Sequence, residues 1–382
     1  MKEQSREGTQ EKFLLKDALF NAEKVGKIAE EIQKVYAPFE KQSFSQEVLE
    51  KFPQLELKER MYHIRDLLKK YLPEDYIEAT TILLEALPPE LDLSKEDDDF
   101  GDFIYAPYSE FVVAYGCSKE YLDFSLKALR AMTKRFSVEF AIRDFINLYP
   151  KETVEMLEAC ALSGHYHERR LVSEGLRPKL PWAKKLTLDY KEAVSLLDLL
   201  YYDKTRYVTR SVANHLNDIS KIDKTLVLDT LKGWKQSKKQ EAKEMDFIVK
   251  HALRTLVKKG NQDALALLGY SKNPVVEVKV NLLSQDVSIG EALLFEVMIE
   301  AKEEVHLMLD YCIYFRTKAG TFSPKVHKLK QIKLNKGEKI KLRKKHLFKA
   351  NMSTRTLYVG EHKFSLQING KVLETLPFML KV

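Results

Sequence analysis

The sequence predicts an α solenoid of HEAT-like helical repeats followed by an all-β immunoglobulin-like sandwich. A seven-residue pattern recurs at a fixed step within the first two-thirds of the chain. Apolar periodicity then switches from helical to alternating near residue 270, and an Asn-Gly pair separates two alternating stretches close to the C-terminus.

The helical part justifies itself element by element. Ala22 to Tyr36 places Val25, Ile28, Ile32 and Val35 on one face, and Leu57 to Tyr71 does so with Met61, Ile64, Leu67 and Leu68. This is the period of a half-buried helix. Pro73 and Pro88-Pro89 punctuate these helices, because proline cannot continue one. The acidic, turn-rich stretch from Glu90 to Phe103 reads as a loop. Further helices are expected near 119–133, 137–148, 151–163, 166–176, 190–201, 205–220, 222–237 and 242–258.

The recurring pattern is Arg170-Leu-Val-Ser-Glu-Gly-Leu176, Arg210-Ser-Val-Ala-Asn-His-Leu216 and Lys250-His-Ala-Leu-Arg-Thr-Leu256. Each copy opens on a cation, has an apolar centre and closes on leucine. A step of about 40 residues suits a two-helix unit. One unit buries little alone, so such units stack into a curved array with a concave face.

After the break at Gly269 to Pro274 the period is two. Strands are expected around Val276, Val278 and Asn281, then at Leu294–Ile299, Leu307–Phe315, Lys339–Arg343, His362–Ile368 and Leu373–Val382. Asn369-Gly370 predicts a type I′ hairpin, whose two central residues both need positive φ. About seven short strands in a hundred residues suit an immunoglobulin-like sandwich. The Cys…Trp…Cys pattern of antibody domains is missing, so the expectation concerns architecture alone. The predicted division is 1–270 for the repeats and 275–382 for the sandwich.

Composition narrows the function classes. The chain has 382 residues, 45% of them apolar, enough for real cores and against general disorder. Cys117, Cys160 and Cys312 are far apart and form no Cys-x-x-Cys, which argues against a zinc site or a disulfide framework and suits a reducing compartment. The opening MKEQSREGTQ has no apolar stretch behind it, and no apolar run is long enough to span a bilayer. A soluble, intracellular protein is expected. The net charge is +7, with roughly −2 on residues 1–270 and roughly +9 on the rest. A concentrated cationic surface favours polyanions, nucleic acid foremost; a merely solubilising surface is the other reading.

Candidate chemistry sits in the repeats. Arg170 and Glu174 are four apart, as are Glu139 and Arg143, and Arg210, Asn214 and Asp218 continue at that spacing. Lys250, Arg254 and Lys258 repeat it. Residues four apart share a helix face. The cations suit phosphates, whereas the carboxylates repel them. Near DNA those carboxylates would stabilise positive charge on a sugar or orient a water. The bland alternative is ordinary salt bridging along a helix, worth about a few tenths of a kcal/mol.

Trp182 follows Pro181 in a proline-restricted loop and reads either as a group pressed on a base or sugar, or as a packing anchor. Trp234 falls in a helical apolar pattern and is expected in the core. His165 and His167 lack a third metal ligand and read as surface histidines; His215 reads as a structural histidine. No Gly-rich phosphate loop, G-x-S-x-G or kinase signature occurs. In the sandwich, Lys339, Lys341 and Arg343 alternate with Ile340 and Leu342, so one strand face is cationic. With Lys345, Arg355 and Tyr358 it forms a candidate backbone-contacting patch, or else an edge strand protected by lysines.

Three stretches carry a family resemblance: Glu139-Phe-Ala-Ile-Arg143, His167-Glu-Arg-Arg-Leu-Val-Ser-Glu-Gly-Leu-Arg-Pro-Lys-Leu-Pro-Trp182, and Arg210-Ser-Val-Ala-Asn-His-Leu-Asn-Asp218. Together they resemble the AlkC family of HEAT-like-repeat DNA glycosylases, over most of residues 15–270. The region from Lys339 to Gly370, with Thr354-Arg355, Tyr358-Val-Gly360 and Asn369-Gly370, resembles the immunoglobulin-like domain of one branch of that family. Residues 177–180 read Arg-Pro-Lys-Leu where the family pattern has Arg-Pro-Arg-Leu, a change that keeps the charge.

The resemblance implies excision of 3-methyladenine and 3-methylcytosine from alkylated double-stranded DNA, by hydrolysis of the N-glycosidic bond. It implies no flipping of the base into a pocket, and a monomeric, cytoplasmic, nucleoid-associated bacterial protein. No metal or cofactor motif occurs in the sequence, so neither is expected. It makes Glu139, Glu174 and Asp218 the active-site carboxylates, and sets Trp182 beside the damaged nucleotide. DNA contacts are expected from Arg143, Arg169, Arg170, Arg177, Arg206, Arg210, Asn214, Lys250 and Arg254, and from the sandwich patch. The alternative is a non-catalytic repeat scaffold that binds DNA or a protein partner.

Overall fold

Apolar residues at three- and four-residue spacing fold the first part of the chain into helices, seen here in a computed structural model described for residues 14–94, 101–350, 352 and 355–382. Residues 95–100 of the expected loop, the opening MKEQSREGTQ and Thr354 lie outside the described residues.

The helices are Leu15–Leu19 (α1), Ala22–Val35 (α2), Lys41–Lys51 (α3), Leu57–Tyr71 (α4), Tyr76–Glu85 (α5), Ala106–Gly116 (α6), Leu122–Thr133 (α7) and Ile142–Leu148 (α8). They continue as Pro150–Ala161 (α9), Tyr166–Gly175 (α10), Tyr190–Leu200 (α11), Arg206–Ile219 (α12), Lys224–Ser237 (α13), Ala242–Ala252 (α14), Arg254–Lys258 (α15) and Gln262–Leu267 (α16).

Their starts have local causes. The Asn21 side chain accepts from the Lys24 N–H to cap α2, and Glu56 and Glu59 form a capping box on α4. Each satisfies a backbone donor that the helix itself leaves unpaired. α2 then buries Val25, Ile28 and Ile32, and α4 buries Met61, Ile64 and Leu68. The single helix expected over 242–258 is instead two. The chain breaks at the buried Leu253, and the Arg254 guanidinium takes up the His251 carbonyl at 2.5 Å.

The strands are Val276–Leu282 (β1), Asp286–Ser288 (β2), Ala292–Ala301 (β3), Val305–Arg316 (β4), Phe322–Leu334 (β5), Lys339–Leu347 (β6), Gly360–Ile368 (β7) and Lys371–Lys381 (β8). Their order is β1-β3-β6 in one sheet and β2-β8-β7-β4-β5 in the other. Among the described residues only β2 and β8 run parallel. Alternating residues of both sheets, among them Phe295, Val297, Ile299, Leu307, Ile313, Phe364 and Leu366, make the core between them. Among the described residues eight strands therefore stand where about seven were expected. Asn369 and Gly370 have φ of 45° and 78°, and Ile368 pairs with Lys371 across the tip, as a type I′ hairpin requires.

The chain divides into two compact units, Met1–Asp218 and Ile219–Val382. The helices α13 to α16 thus share a unit with the sandwich. Leu265 and Tyr270 pack on Met308 of β4. The buried Asn369 side chain accepts from the Met308 N–H and donates to the Ser271 and His306 carbonyls. Gln262 donates to the Asn369 carbonyl. Among the described residues no helix is long and apolar enough to cross a membrane.

Candidate active site

The α10 helix carries Arg170 and Glu174 one turn apart, and Arg177 follows its last turn. The α12 helix carries Ser211 and Asp218. Arg177 joins the two elements. Its Nη1 donates to Glu174 Oε1 at 2.5 Å, and its Nε and Nη2 both reach Asp218 Oδ2 at 2.9 Å. The Ser173 hydroxyl donates to Ser211 (2.7 Å), which donates to Glu174 Oε2 (2.6 Å).

On the other side, Arg170 donates to Glu139 and to the Ser137 hydroxyl, and its Nη2 stands 3.7 Å from Glu174 Oε2. Its guanidinium lies 4.8 Å from the centre of the Tyr207 ring. The charged groups therefore alternate without interruption: Glu139, Arg170, Glu174, Arg177, Asp218. Three carboxylates from three chain segments converge, and two arginines separate them.

Burial makes this chain of charges costly to break. Glu174 is 5% exposed and Asp218 2%, while the Glu139 side chain, at 16%, is the most open of the three. Burial works against ionisation of Glu174. The charges of Arg170 and Arg177, with the hydrogen bonds from Ser211 and Arg177, outweigh it and hold the carboxyl below its ordinary range. His215, wholly buried beneath, is pushed down to about 4 by burial, and its Nδ1–H donates to the Ser173 carbonyl. The satisfied structural histidine expected at 215 is only half satisfied, because its Nε2 is buried with no hydrogen-bond partner among the described residues.

Not every expected DNA contact is placed to make one. Arg143 is buried, with its guanidinium committed to the carbonyls of Lys184, Gly175 and Arg177 at 2.6 to 2.9 Å. Burial, with the nearby charge of Arg177, lowers it to about 10, so it is still cationic at neutral pH. It fastens the end of α10 to the loop beyond, and a direct phosphate contact does not suit it. Arg169 is similarly tied, to Asp203 and to the carbonyls of Ser163 and Gly164. Arg206 and Asn214 are half-buried on α12, and Arg210 is exposed. His165 and His167 are buried at the start of α10, contrary to the surface position expected for them, and the His165 ring caps the helix. Trp234 is in the core.

Trp182 is no packing anchor. It is 71% exposed and has φ of 63°, an outlier for a bulky residue. Its carbonyl accepts a hydrogen bond from Lys58 Nζ. Strain of this kind persists where the surroundings hold it, and it gathers at functional sites.

The second unit holds the remaining cations. Lys250, Arg254 and Lys258 line a cavity of about 750 Å³ together with Lys235, Lys328 and Asp310. In the sandwich β6 is an edge strand. Lys339 and Lys341 pair with Glu300 and Glu296 of β3 at 3.3 and 3.0 Å. Arg343 and Lys345 are exposed and have no ion-pair partner among the described residues. Arg355 lies over the Phe315 ring at 4.1 Å. No group of three His, Cys, Asp or Glu side chains suited to a metal occurs among the described residues.

Reading by spacing missed Ser137, Ser211, Tyr207 and Lys58. Ser211 was findable, since it sits in a recurring seven-residue pattern. Lys58 lies 124 residues from its partner, and nothing in the sequence joins them.

Comparison with known proteins bears on this geometry. The family described as "Uncharacterised protein YhaZ, C-terminal Ig-like domain" matches residues 277–382. YhaZ of Bacillus subtilis (strain 168) is 33% identical over 367 residues, covering 95% of this chain and 98% of its own. The Pseudomonas fluorescens alkylpurine DNA glycosylase AlkC, solved bound to DNA containing an abasic site analog, superposes with a TM-score of 0.80 at 30% identity. That match covers 97% of this chain and all of AlkC. With stacked helix pairs, a C-terminal Ig-like sandwich and near-complete coverage on both sides, the chain belongs to the AlkC family, with YhaZ among its relatives.

Proposed function

We propose that the chain is a monofunctional DNA glycosylase that hydrolyses the N-glycosidic bond of cationic N3-alkylated bases, 3-methyladenine and 3-methylcytosine, in double-stranded DNA. The convergence of Glu139, Glu174 and Asp218 through Arg170 and Arg177 carries this reading. The likeness to a DNA-bound alkylpurine glycosylase supports it. In this reading residues 1–270 form the glycosylase domain and 275–382 a DNA-gripping domain.

N3-alkylation makes the base cationic. When the C1′–N bond breaks, its electron pair neutralises that charge, so strong acid assistance is unnecessary. Positive charge develops on the deoxyribose instead, where fixed carboxylates stabilise it. Water then bonds to C1′ and releases a proton. Glu174, held below the ordinary carboxylate range, is a weak base and suits charge stabilisation, because an effective general base titrates near the working pH. Glu139 is more open, and its Oε1 accepts no hydrogen bond among the described residues; it is the carboxylate we assign to orient the water. Trp182, exposed on its strap, would press on the bent duplex beside the lesion, with the base remaining outside any pocket.

The test is release of 3-methyladenine from methylated duplex DNA. Asp218→Asn is expected to slow release by about 10²-fold or more, with little change in DNA affinity. Wild-type release by that variant would remove Asp218 from the site. Binding by the wild-type protein with no release at all would leave the non-catalytic scaffold as the reading.

A further inference from the structure

We infer that Lys58 is a positioning residue, which holds the backbone of Trp182 in the conformation that base release requires. The inference rests on the reading of Trp182 as the group set against the damaged nucleotide.

Trp182 has two properties that do not normally coexist. Its side chain is 71% exposed, so packing does not hold it, and its φ of 63° is one that a bulky residue avoids. Part of the hold is local: Pro181 precedes Trp182, and the Ala183 N–H donates to the Leu180 carbonyl at 3.3 Å, which closes a turn around it. That bond is long, and relaxation to negative φ rotates the peptide planes on either side of Cα. The carbonyl of Trp182 belongs to one of those planes, and it is the atom that Lys58 Nζ engages. A charged donor on a neutral acceptor makes one of the stronger hydrogen bonds.

Lys58 is also anchored itself. It belongs to the first turn of α4, in the capped end of that helix. Its ammonium stands 5.2 Å from the centre of the Phe140 ring, a cation–π distance. Phe140 directly follows Glu139, so one ammonium bridges the Trp182 strap and the turn that carries the most open carboxylate. The half-buried Glu110 faces it from α6, and Arg65 and Lys184 share that environment. Arg143 fixes the strap before and after Trp182, through the Arg177 and Lys184 carbonyls. The strap is therefore held on both sides of Trp182, and Lys58 is the side chain that holds Trp182 itself.

The experiment uses the full chain carrying Trp234→Phe, which leaves Trp182 as the sole tryptophan, since the chain has two. Tryptophan anisotropy in the free protein reports how firmly Trp182 is held. Single-turnover release from methylated duplex reports its consequence, and DNA affinity is measured beside it. Lys58→Met is expected to lower the anisotropy and to slow release on the order of 10-fold, with affinity nearly unchanged. Lys58→Arg, which keeps a charged donor, is expected to restore both.

Unchanged anisotropy in Lys58→Met overturns the inference, and so does lowered anisotropy with wild-type release. A Trp182→Ala protein that releases base at the wild-type rate overturns it as well. That last result lies with the role of Trp182, because the anisotropy of Lys58→Met would still show whether the strap is held.

Discussion

Arg177 decides the behaviour of the site at the scale of single residues. It neutralises Glu174 and Asp218 together, so neither carboxylate is a lone buried charge. Removing one partner of such an arrangement costs about 3 to 5 kcal/mol, because the others remain buried and under-compensated. Glu174→Gln is accordingly expected to lower the thermal midpoint as well as the rate of release, which a melting curve recorded beside the assay detects. The same geometry fixes a pH dependence. The Glu174 carboxyl titrates below its ordinary value, so its charge, and the stability it contributes, is complete above that value and is lost only as pH falls through the lowered one. Release is expected to stay flat from pH 8 down to about 5, where an ordinary carboxylate begins to protonate. A limb centred near pH 6 to 7 would point to a base with a raised pKa instead. Of these charged groups, Arg170 with Glu174 was legible from i,i+4 spacing. The bridge by Arg177 was not, because it depends on which helices lie side by side.

Whether an element was legible depended on how much of its surface stays wet. α2 and α4 bury one face each, and both stand where the helical period put them. α3 buries only Phe44 and Val48, and α6 is buried on nearly all sides; neither leaves a clear periodic signature. The β5 strand was hidden for another reason. Its lysines fall on an edge strand, where alternation is weak and charge protects against pairing with other chains. On β6 the cationic face stands as expected, but it divides into two kinds of residue. Lys339 and Lys341 are engaged by β3 glutamates, whereas Arg343 and Lys345 are not. If the patch grips phosphates, replacing Arg343 and Lys345 by alanine should weaken DNA binding. It should also flatten the plot of log affinity against log salt by about 0.9 for each phosphate that is no longer neutralised. The Lys339 and Lys341 pair should have the smaller effect, since their release from glutamate offsets part of the gain. Equal effects from both pairs would contradict this division.

For the whole molecule, the boundary of compactness lies at residues 218/219, well before the change of periodicity near residue 270. Periodicity reports secondary structure, whereas compactness reports packing, and the last helices pack on strands. Two glycines approach each other closely there. Gly370, at the β7–β8 tip, and Gly260, after α15, both have positive φ, and a methyl group on either would fall within 2.8 Å of the other's backbone. A helical array is ordinarily finished by a terminal unit with a polar outer face, and here a hairpin of the sandwich serves that end. A protein shortened to residues 1–274 would thus be left with a raw end, where Leu265 and Tyr270 meet water in place of Met308. Such a fragment should self-associate on size-exclusion chromatography. A monodisperse fragment with an undiminished melting midpoint would mean that the stack tolerates an open terminus. The sandwich then acts as a stopper, whose Met308 keeps the apolar side chains of the last helix from water.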